Sequence, residues 1–115
     1  MFRHENGTAL IDVCRLAPEV RDLREHLVAN REMLNALADP ARQDLVQLLA
    51  RDELNVGEIA SRIALSRPNV SHHLGILRRA GLVQARKQGK EVYYRLDKDR
   101  IIHTLSGLCA SLTCC

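Results

Sequence analysis

The stretch that decides the fold runs from Val56 to Leu96, VGEIASRIALSRPNVSHHLGILRRAGLVQARKQGKEVYYRL. Just ahead of it, Asn55 stands three residues before Glu58, the spacing at which a cap side chain and the third helical residue satisfy each other's backbone N–H groups. Val56, Ile59, Ala60 and Ile63 follow at helical spacing, which predicts a short first helix. The turn falls at Ala64-Leu65. Ser66 then caps a second helix with Pro68 in its first turn, where a missing N–H costs nothing, and Val70, Leu74 and Leu77 form its inward face. Gly81 ends this helix, with Leu82 placed for the apolar contact of a left-handed C-cap. Two strands follow, Leu82 to Lys87 and Glu91 to Leu96, joined by Gln88-Gly89-Lys90. In the second strand Val92, Tyr94 and Leu96 alternate with Glu91, Tyr93 and Arg95, predicting one buried and one solvated face. Two short helices, a tight turn and a basic hairpin make a helix-turn-helix with a wing, so the expected partner is double-stranded DNA.

If Val70, Leu74 and Leu77 point inward, Arg67, Asn69, Ser71, His72 and Gly75 lie on or flank the outer face near the start of the second helix. That end of a recognition helix enters the major groove, where Arg, Asn and Ser can bond base edges and the helix N-terminus favours phosphate; Gly75 would permit close approach. Arg78 and Arg79 at the far end, and Arg86, Lys87 and Lys90 on the wing, suit phosphates, which position a protein without reading sequence. His73, one step before Leu74, reads as semi-buried packing. A metal site at His72-His73 is the alternative, weakened because adjacent helical residues diverge by ~100°.

Charge and composition agree with this partner. From Arg62 to Arg100 there are ten basic residues against three acidic ones, a local charge of +7, in a chain whose net charge is only +3. A gathered positive face is the footprint of a polyanion binder, although a solvated basic surface on an ordinary domain would look the same by charge alone. Phe2, Tyr93 and Tyr94 are the only aromatic residues, so no platform for stacking single-stranded bases is present and RNA is not expected. MFRHENGTAL has no apolar core of a signal peptide, and no run approaches the ~18 apolar residues of a membrane span. A cytoplasmic protein is expected, and in that compartment Cys14, Cys109, Cys114 and Cys115 read as ligands or redox sensors before a disulfide framework.

Outward from the motif, 115 residues suffice for one domain of mostly α structure with a small β-hairpin: N-terminal helices over 1–38, the helix-turn-helix and wing over 39–96, and a final helix over 97–115. Val13, Leu16, Val20, Leu23, Leu27, Leu34 and Leu37 fall on a heptad seam with Asn30 its one polar member, and Pro18 divides a leading helix from a longer one. Asp39 caps the next helix, with Pro40 at its first position and Leu45, Leu48 and Leu49 as its buried face. The final helix opens near Asp97 to Asp99 and puts Ile101, Leu105, Leu108 and Leu112 on one stripe. Two apolar stripes beyond the needs of a small core suggest a dimer through the first and last helices, against the plainer reading that they pack on the domain itself.

From about Leu34 to Leu108 the chain resembles the ArsR/SmtB family of dimeric winged-helix repressors, the arsenical and metal sensors of bacteria. The resemblance is carried by LNALADPARQDLVQLL, ELNVGEIA, LSRPNVSHHLGILRRAGLV and KQGKEVYYRL, and most specifically by Ser66, Ser71, His73, Leu74, Leu77, Gly81, Leu82 and Val83. It implies a homodimer joined by its first and last helices, and repression relieved by an inducer. Two departures bear on the inducer. Where many members carry Cys-x-Cys on the first helix of the motif, this chain has Asn55 and Gly57. The zinc sensors' Asp/His pattern on the last helix is not met either, since Asp97, Asp99 and His103 are followed by Ser and Cys residues in place of a later His pair.

The inducer must therefore be argued from the thiols. Three thiolates suit arsenite or antimonite; four suit cadmium, lead or zinc. Cys109, Cys114 and Cys115 are the expected ligands, joined by Cys14 if the family fold brings it to the other chain's last helix. At ~100° per residue Cys114 and Cys115 diverge from Cys109, so a shared site needs the helix to unwind after about Ser111, or ligands from across the dimer. A zinc at Asp99 and His103 is left open. The alternatives are thiol-based redox or reactive-sulfur sensing, and a Cys109 that is only a small interface hydrophobe. An enzyme has little support: there is no Cys-x-x-Cys pair, no phosphate-cradling glycine loop and no nucleophile with a spaced His and acid. A winged helix used for protein contacts is the remaining rival, and it would be insensitive to salt.

Overall fold

The computed structural model describes residues 23–113. Cys14, Cys114, Cys115, the seam positions Val13, Leu16 and Val20, and the expected leading helix with its division at Pro18 lie outside the described residues. In order, the elements are α1 (Leu23–Ala29), α2 (Arg31–Leu37), α3 (Pro40–Leu49), β1 (Leu54–Asn55), α4 (Val56–Arg62), α5 (Arg67–Arg79), β2 (Val83–Gln88), β3 (Glu91–Leu96) and α6 (Lys98–Thr113). They form two compact units: Glu32–Lys98 is one, and the described residues before and after it belong to the other. Among the described residues no helix is long and apolar enough to cross a membrane.

The unit Glu32–Lys98 is built around α5. Ser66 caps it by accepting from the Asn69 N–H at 3.3 Å. Val70, Leu74 and Leu77 are fully buried, joined by Leu45 of α3, Ile59 of α4 and Leu82. The helix ends in a Schellman motif: the N–H of Leu82 donates to the Leu77 carbonyl at 2.9 Å and that of Gly81 to the Arg78 carbonyl at 3.0 Å. This geometry needs the φ of 81° that Gly81 adopts. The expected capping box on α4 is complete, with Asn55 Oδ1 accepting from the Glu58 N–H at 2.8 Å and Glu58 Oε1 from the Asn55 N–H at 3.0 Å. At α3, Asp39 accepts from the Arg42 N–H at 3.1 Å, with Pro40 following as expected. Leu45 and Leu49 are buried there and Leu48 is half-buried.

The hairpin is tighter than expected. Its register runs from Val83↔Leu96 to Gln88↔Glu91, so Gln88 belongs to the strand and the loop is Gly89-Lys90, with Gly89 at φ 63°. Leu82 precedes the strand and is buried. A third strand was not foreseen: β1 pairs antiparallel with β3, Leu54 opposite Tyr94, giving the order β1-β3-β2. Two residues are too few for an alternation signal, and Asn55 doubles as the helix cap. The predicted alternation in β3 also fades. Val92 is 36% exposed, and Tyr93 and Tyr94 are both half-buried, because the outer rungs of the hairpin have no helix to pack on.

Helical pattern failed at Asn30. Its side-chain Nδ2 donates to the His26 carbonyl at 2.8 Å, the same oxygen its own N–H takes at 3.1 Å. The helical run is interrupted at this residue, where a side chain that can bond local backbone is a poor helix-interior choice, so the expected seam is not one continuous helix. The residues buried on α2 are Met33 and Ala36, one position before the expected Leu34 and Leu37, which are half-buried.

The second unit corrects the reading of α6. Its buried face carries Thr104, Ser106, Gly107 and Ala110, while Leu105 and Leu112 of the predicted stripe are 51% and 67% exposed and Ile101 and Leu108 half-buried. At one of these small residues another part of the same unit comes close: the His26 ring of α1 lies against Gly107, where a Cβ would stand 3.0 Å from Cε1 and 3.2 Å from Nδ1.

Leu74→Ala, which empties a fully buried position, is expected to cost about 2–5 kcal/mol in denaturant unfolding. Ser71→Ala, on the exposed side of the same helix, is expected to stay within about 0.5 kcal/mol.

Candidate DNA-binding surface

With one face of α5 fully buried, the rest of the helix is available to solvent. Arg67, Asn69, Ser71, His72, Arg78 and Arg79 are all exposed, and Gly75 is half-buried. Six of the ten predicted contacts are thus exposed on a single helix. Arg78 and Arg79 also stand in the last turn, where positive charge offsets the carbonyl end of the helix dipole. Gly75 is not bare: a Cβ there would meet Arg79 Nη1 at 3.5 Å, so the arginine lies over the glycine that sequence left open for DNA.

The two histidines part company. His72 is exposed; His73 is half-buried, its Nδ1 3.3 Å from Arg42 Nη1. Arginine can only donate, so Nδ1 accepts. Arg42 also donates from Nε to the Ala36 carbonyl at 2.7 Å, so its side chain ties the end of α2 to the middle of α5 while its backbone N–H bonds the α3 cap. The Asp39 carboxyl is held below its ordinary range, chiefly by the Arg42 backbone N–H, then by the charges of Arg42 and His73 and by the Ala41 N–H. Among the described residues no group of three His, Cys, Asp or Glu side chains could hold a metal, so His72-His73 and Asp99-His103 find no third donor there.

The wing carries Arg86, Lys87 and Lys90, all exposed. Arg86 differs from the two lysines. It makes a bidentate pair with Glu53, Nη2 to Oε1 at 2.8 Å and Nε to Oε2 at 3.1 Å, donates to Gln88 Oε1 at 2.8 Å, and sits 5.6 Å from the centroid of the Tyr93 ring. The pairing lowers the pKa of Glu53 and raises that of Arg86. On the same sheet face Arg95 donates twice to Gln84 Oε1, at 2.8 and 3.2 Å, and Gln84 donates to Asp97 at 3.0 Å. Arg86 therefore braces the hairpin against the segment before β1, in addition to any contact with phosphate. Sequence reading missed Glu53, Gln84 and Arg95 in this frame. Glu53 and Arg86 are 33 residues apart, and no local spacing signals such a pair.

An exposed polar row on the second helix of a helix-turn-helix, flanked by a basic hairpin, defines a winged DNA-binding protein. Residues 39–85 match the family described as bacterial regulatory protein, arsR family. The chain is 38% identical over 78 residues to a biofilm growth-associated repressor of Agrobacterium fabrum, covering 68% of this chain and 67% of that one. It is 39% identical over 94 residues to a transcriptional repressor SmtB homolog of Synechocystis, covering 82% and 70%. The solved structure of reduced HlyU from Vibrio cholerae superposes with a TM-score of 0.62 at 35% identity, covering 80% of this chain and 97% of that one. The chain belongs to the ArsR family: it is a DNA-binding transcriptional regulator, not an enzyme.

Glu53→Gln tests the brace. Releasing Arg86 to phosphate is expected to steepen the fall of log K with log salt by up to about 0.9 in titrations on duplex DNA. Because the folded Glu53 carboxyl ionises below its unfolded value, its stabilisation is present above the unfolded pKa and lost as pH falls through the folded one. Thermal melts from pH 6 down to about pH 3 are expected to fall less in the Gln variant than in wild type.

Proposed function

We propose that this chain is a cytoplasmic homodimeric repressor. It reads a palindromic operator through α5 and the hairpin, and lets go when a thiophilic ligand binds its cysteines: arsenite or antimonite first, cadmium, lead or zinc next. The observation that carries the output half is the exposed row Arg67, Asn69, Ser71 and His72 on a helix whose opposite face is fully buried. Asn69, Ser71 and His72 face base edges in this reading, and Arg78, Arg79, Lys87 and Lys90 face phosphates. Two of the named relatives are repressors, which favours repression over activation.

Dimerisation draws support from apolar surface that a lone chain leaves in water. Ile102, Leu105 and Leu112 of α6 are 55%, 51% and 67% exposed, and Leu27 and Val28 of α1 are 42% and 55% exposed. Ile102, Leu105, Cys109 and Leu112 fall within an arc of ~80° on α6. A second copy packed there would bury that arc and bring half-buried Cys109 to the joint. Cys109, Cys114 and Cys115 supply three thiolates within seven residues, the donor set for a trigonal metalloid, and Cys14 would make four. Release follows if the liganded dimer binds operator more weakly, since only differential affinity shifts the equilibrium. Redox or reactive-sulfur sensing by the same thiols is the second reading. It is favoured by the likeness to reduced HlyU of Vibrio cholerae.

Operator binding followed by fluorescence anisotropy, in reductant, with and without arsenite, antimonite, cadmium, lead or zinc, tests the ligand. Release by one of them, lost in a Cys109/Cys114/Cys115→Ser variant, is the expected result. Release only by oxidant or polysulfide assigns the thiols to redox sensing, and a response that survives the triple variant removes them from the input. Leu105→Glu is expected to give monomers in sedimentation and to weaken binding to half-sites spaced about one helical turn, ~34 Å, apart.

A further inference from the structure

Gly57 and Arg67 meet on the face of the helix-turn-helix. Gly57 lies in the first turn of α4, and the Arg67 guanidinium is laid across it: a Cβ on Gly57 would overlap Arg67 Nη2 outright and stand 3.4 Å from Cζ. Arg67 is the first residue of α5, it is exposed, and no acidic side chain pairs with it among the described residues. Arg62 and Arg86, in contrast, are paired with acids, Arg62 within 3.6 Å of Asp52 and Arg86 on Glu53. Arg67 thus keeps an unneutralised charge while its side chain rests on a neighbouring helix.

When such a motif docks, the second helix enters the groove and the first crosses the sugar-phosphate backbone. A guanidinium lying on α4 is on the backbone side. We infer that Gly57 is a positioning residue whose missing side chain seats Arg67 across α4, so that Arg67 clamps a DNA phosphate at the edge of the groove and does not read a base. The inference rests on the DNA-binding reading of α5, and it divides the exposed row: Asn69 and Ser71 read, Arg67 anchors. Seating also lowers the entropy cost of the contact, because a long side chain already held in place loses less freedom on binding.

A Cβ at position 57 meets the movable end of one side chain and otherwise stands in ordinary contact with Asn55 Oδ1 at 3.5 Å, so the fold tolerates it. Alanine is also the better helix former. Gly57→Ala is therefore expected to melt no lower than wild type, yet to bind operator and unrelated duplex alike about three- to tenfold more weakly, the cost of ordering one long side chain. Arg67→Ala is expected to weaken all sequences evenly and to make the salt dependence shallower by about 0.9. Asn69→Ala, in contrast, is expected to relax preference at one operator position.

The deciding measurement is the double-mutant cycle: on the Arg67→Ala background Gly57→Ala has no further effect on DNA affinity. Equal losses in both backgrounds, or an Arg67→Ala loss confined to one base pair, would overturn the seat. If Gly57→Ala does melt lower, the loss must vanish in the double variant, where the overlapping group is gone; a loss that persists also overturns it. Wild-type protein that binds no duplex at all would instead sink the DNA-binding reading beneath it.

Discussion

Everything that α5 shows to solvent follows from what it cannot show. Val70, Leu74 and Leu77 are fully buried, with Leu45, Ile59 and Leu82 closed around them, so the helix has no freedom to rotate about its axis. At 3.6 residues per turn, fixing one face fixes the opposite one. The Ser66 cap sets where the helix starts, and the Gly81 motif sets where it stops and drops Leu82 back into the core. Arg42 adds a polar pin from the α3 side to His73. Base-reading needs this rigidity, because hydrogen bonds to base edges discriminate only when the donors arrive in a fixed register.

The hairpin solves a different problem. Its outer rungs have no hydrophobic face to bury, as the exposure of residues 86–92 shows, and a lone two-stranded ribbon is marginal in water. Two devices hold it: β1 adds a short third strand at its base, and a polar web joins Glu53, Arg86, Gln88 and Tyr93 beside Asp97, Gln84 and Arg95. Exposed ion pairs contribute little energy singly. Their use here is geometric, since a forked guanidinium on a carboxylate fixes direction as well as distance. Of the wing's positive charge, Lys87 and Lys90 stay exposed while Arg86 is tied into the frame.

What could be read from sequence was whatever is local in the chain. Both N-caps of the motif, the Pro40 helix start, the Gly81 ending and the inward row of α5 each depend on residues within about one or two turns of one another, and all appear as expected. What could not be read depends on partners distant in sequence or on size alone. Asn30 looked like a tolerated polar member of a heptad seam, but the helical run is interrupted there, its side chain sharing the His26 carbonyl with its own N–H. The covered face of α6 was misjudged because periodicity marks large apolar residues, whereas the covered ones are small, Gly107 with the His26 ring against it among them. The exposed row on α5 was legible as soon as its buried row was; the seat under Arg67 and the brace on Arg86 were not, because a glycine and a glutamate give no signal of what will lie on them.

The seat and the cap also bear on where a signal can enter. Many members of the family carry thiols on the first helix of the motif, at the positions held here by Asn55 and Gly57. Both positions are occupied by other work in this chain: the Asn55 side chain closes the capping box of α4, and Gly57 lies beneath Arg67. A ligand side chain at either place would have to undo a helix cap or displace an arginine from the DNA-facing surface. Neither position is free in this chain to carry such a thiol without disturbing a cap or the arginine that lies over it. In the reading proposed above, a ligand that shifts the DNA-binding equilibrium gains its differential affinity elsewhere. Cys109, half-buried on the α6 arc that carries Ile102, Leu105 and Leu112, is the one thiol among the described residues, and it belongs to the unit that contains no part of α5.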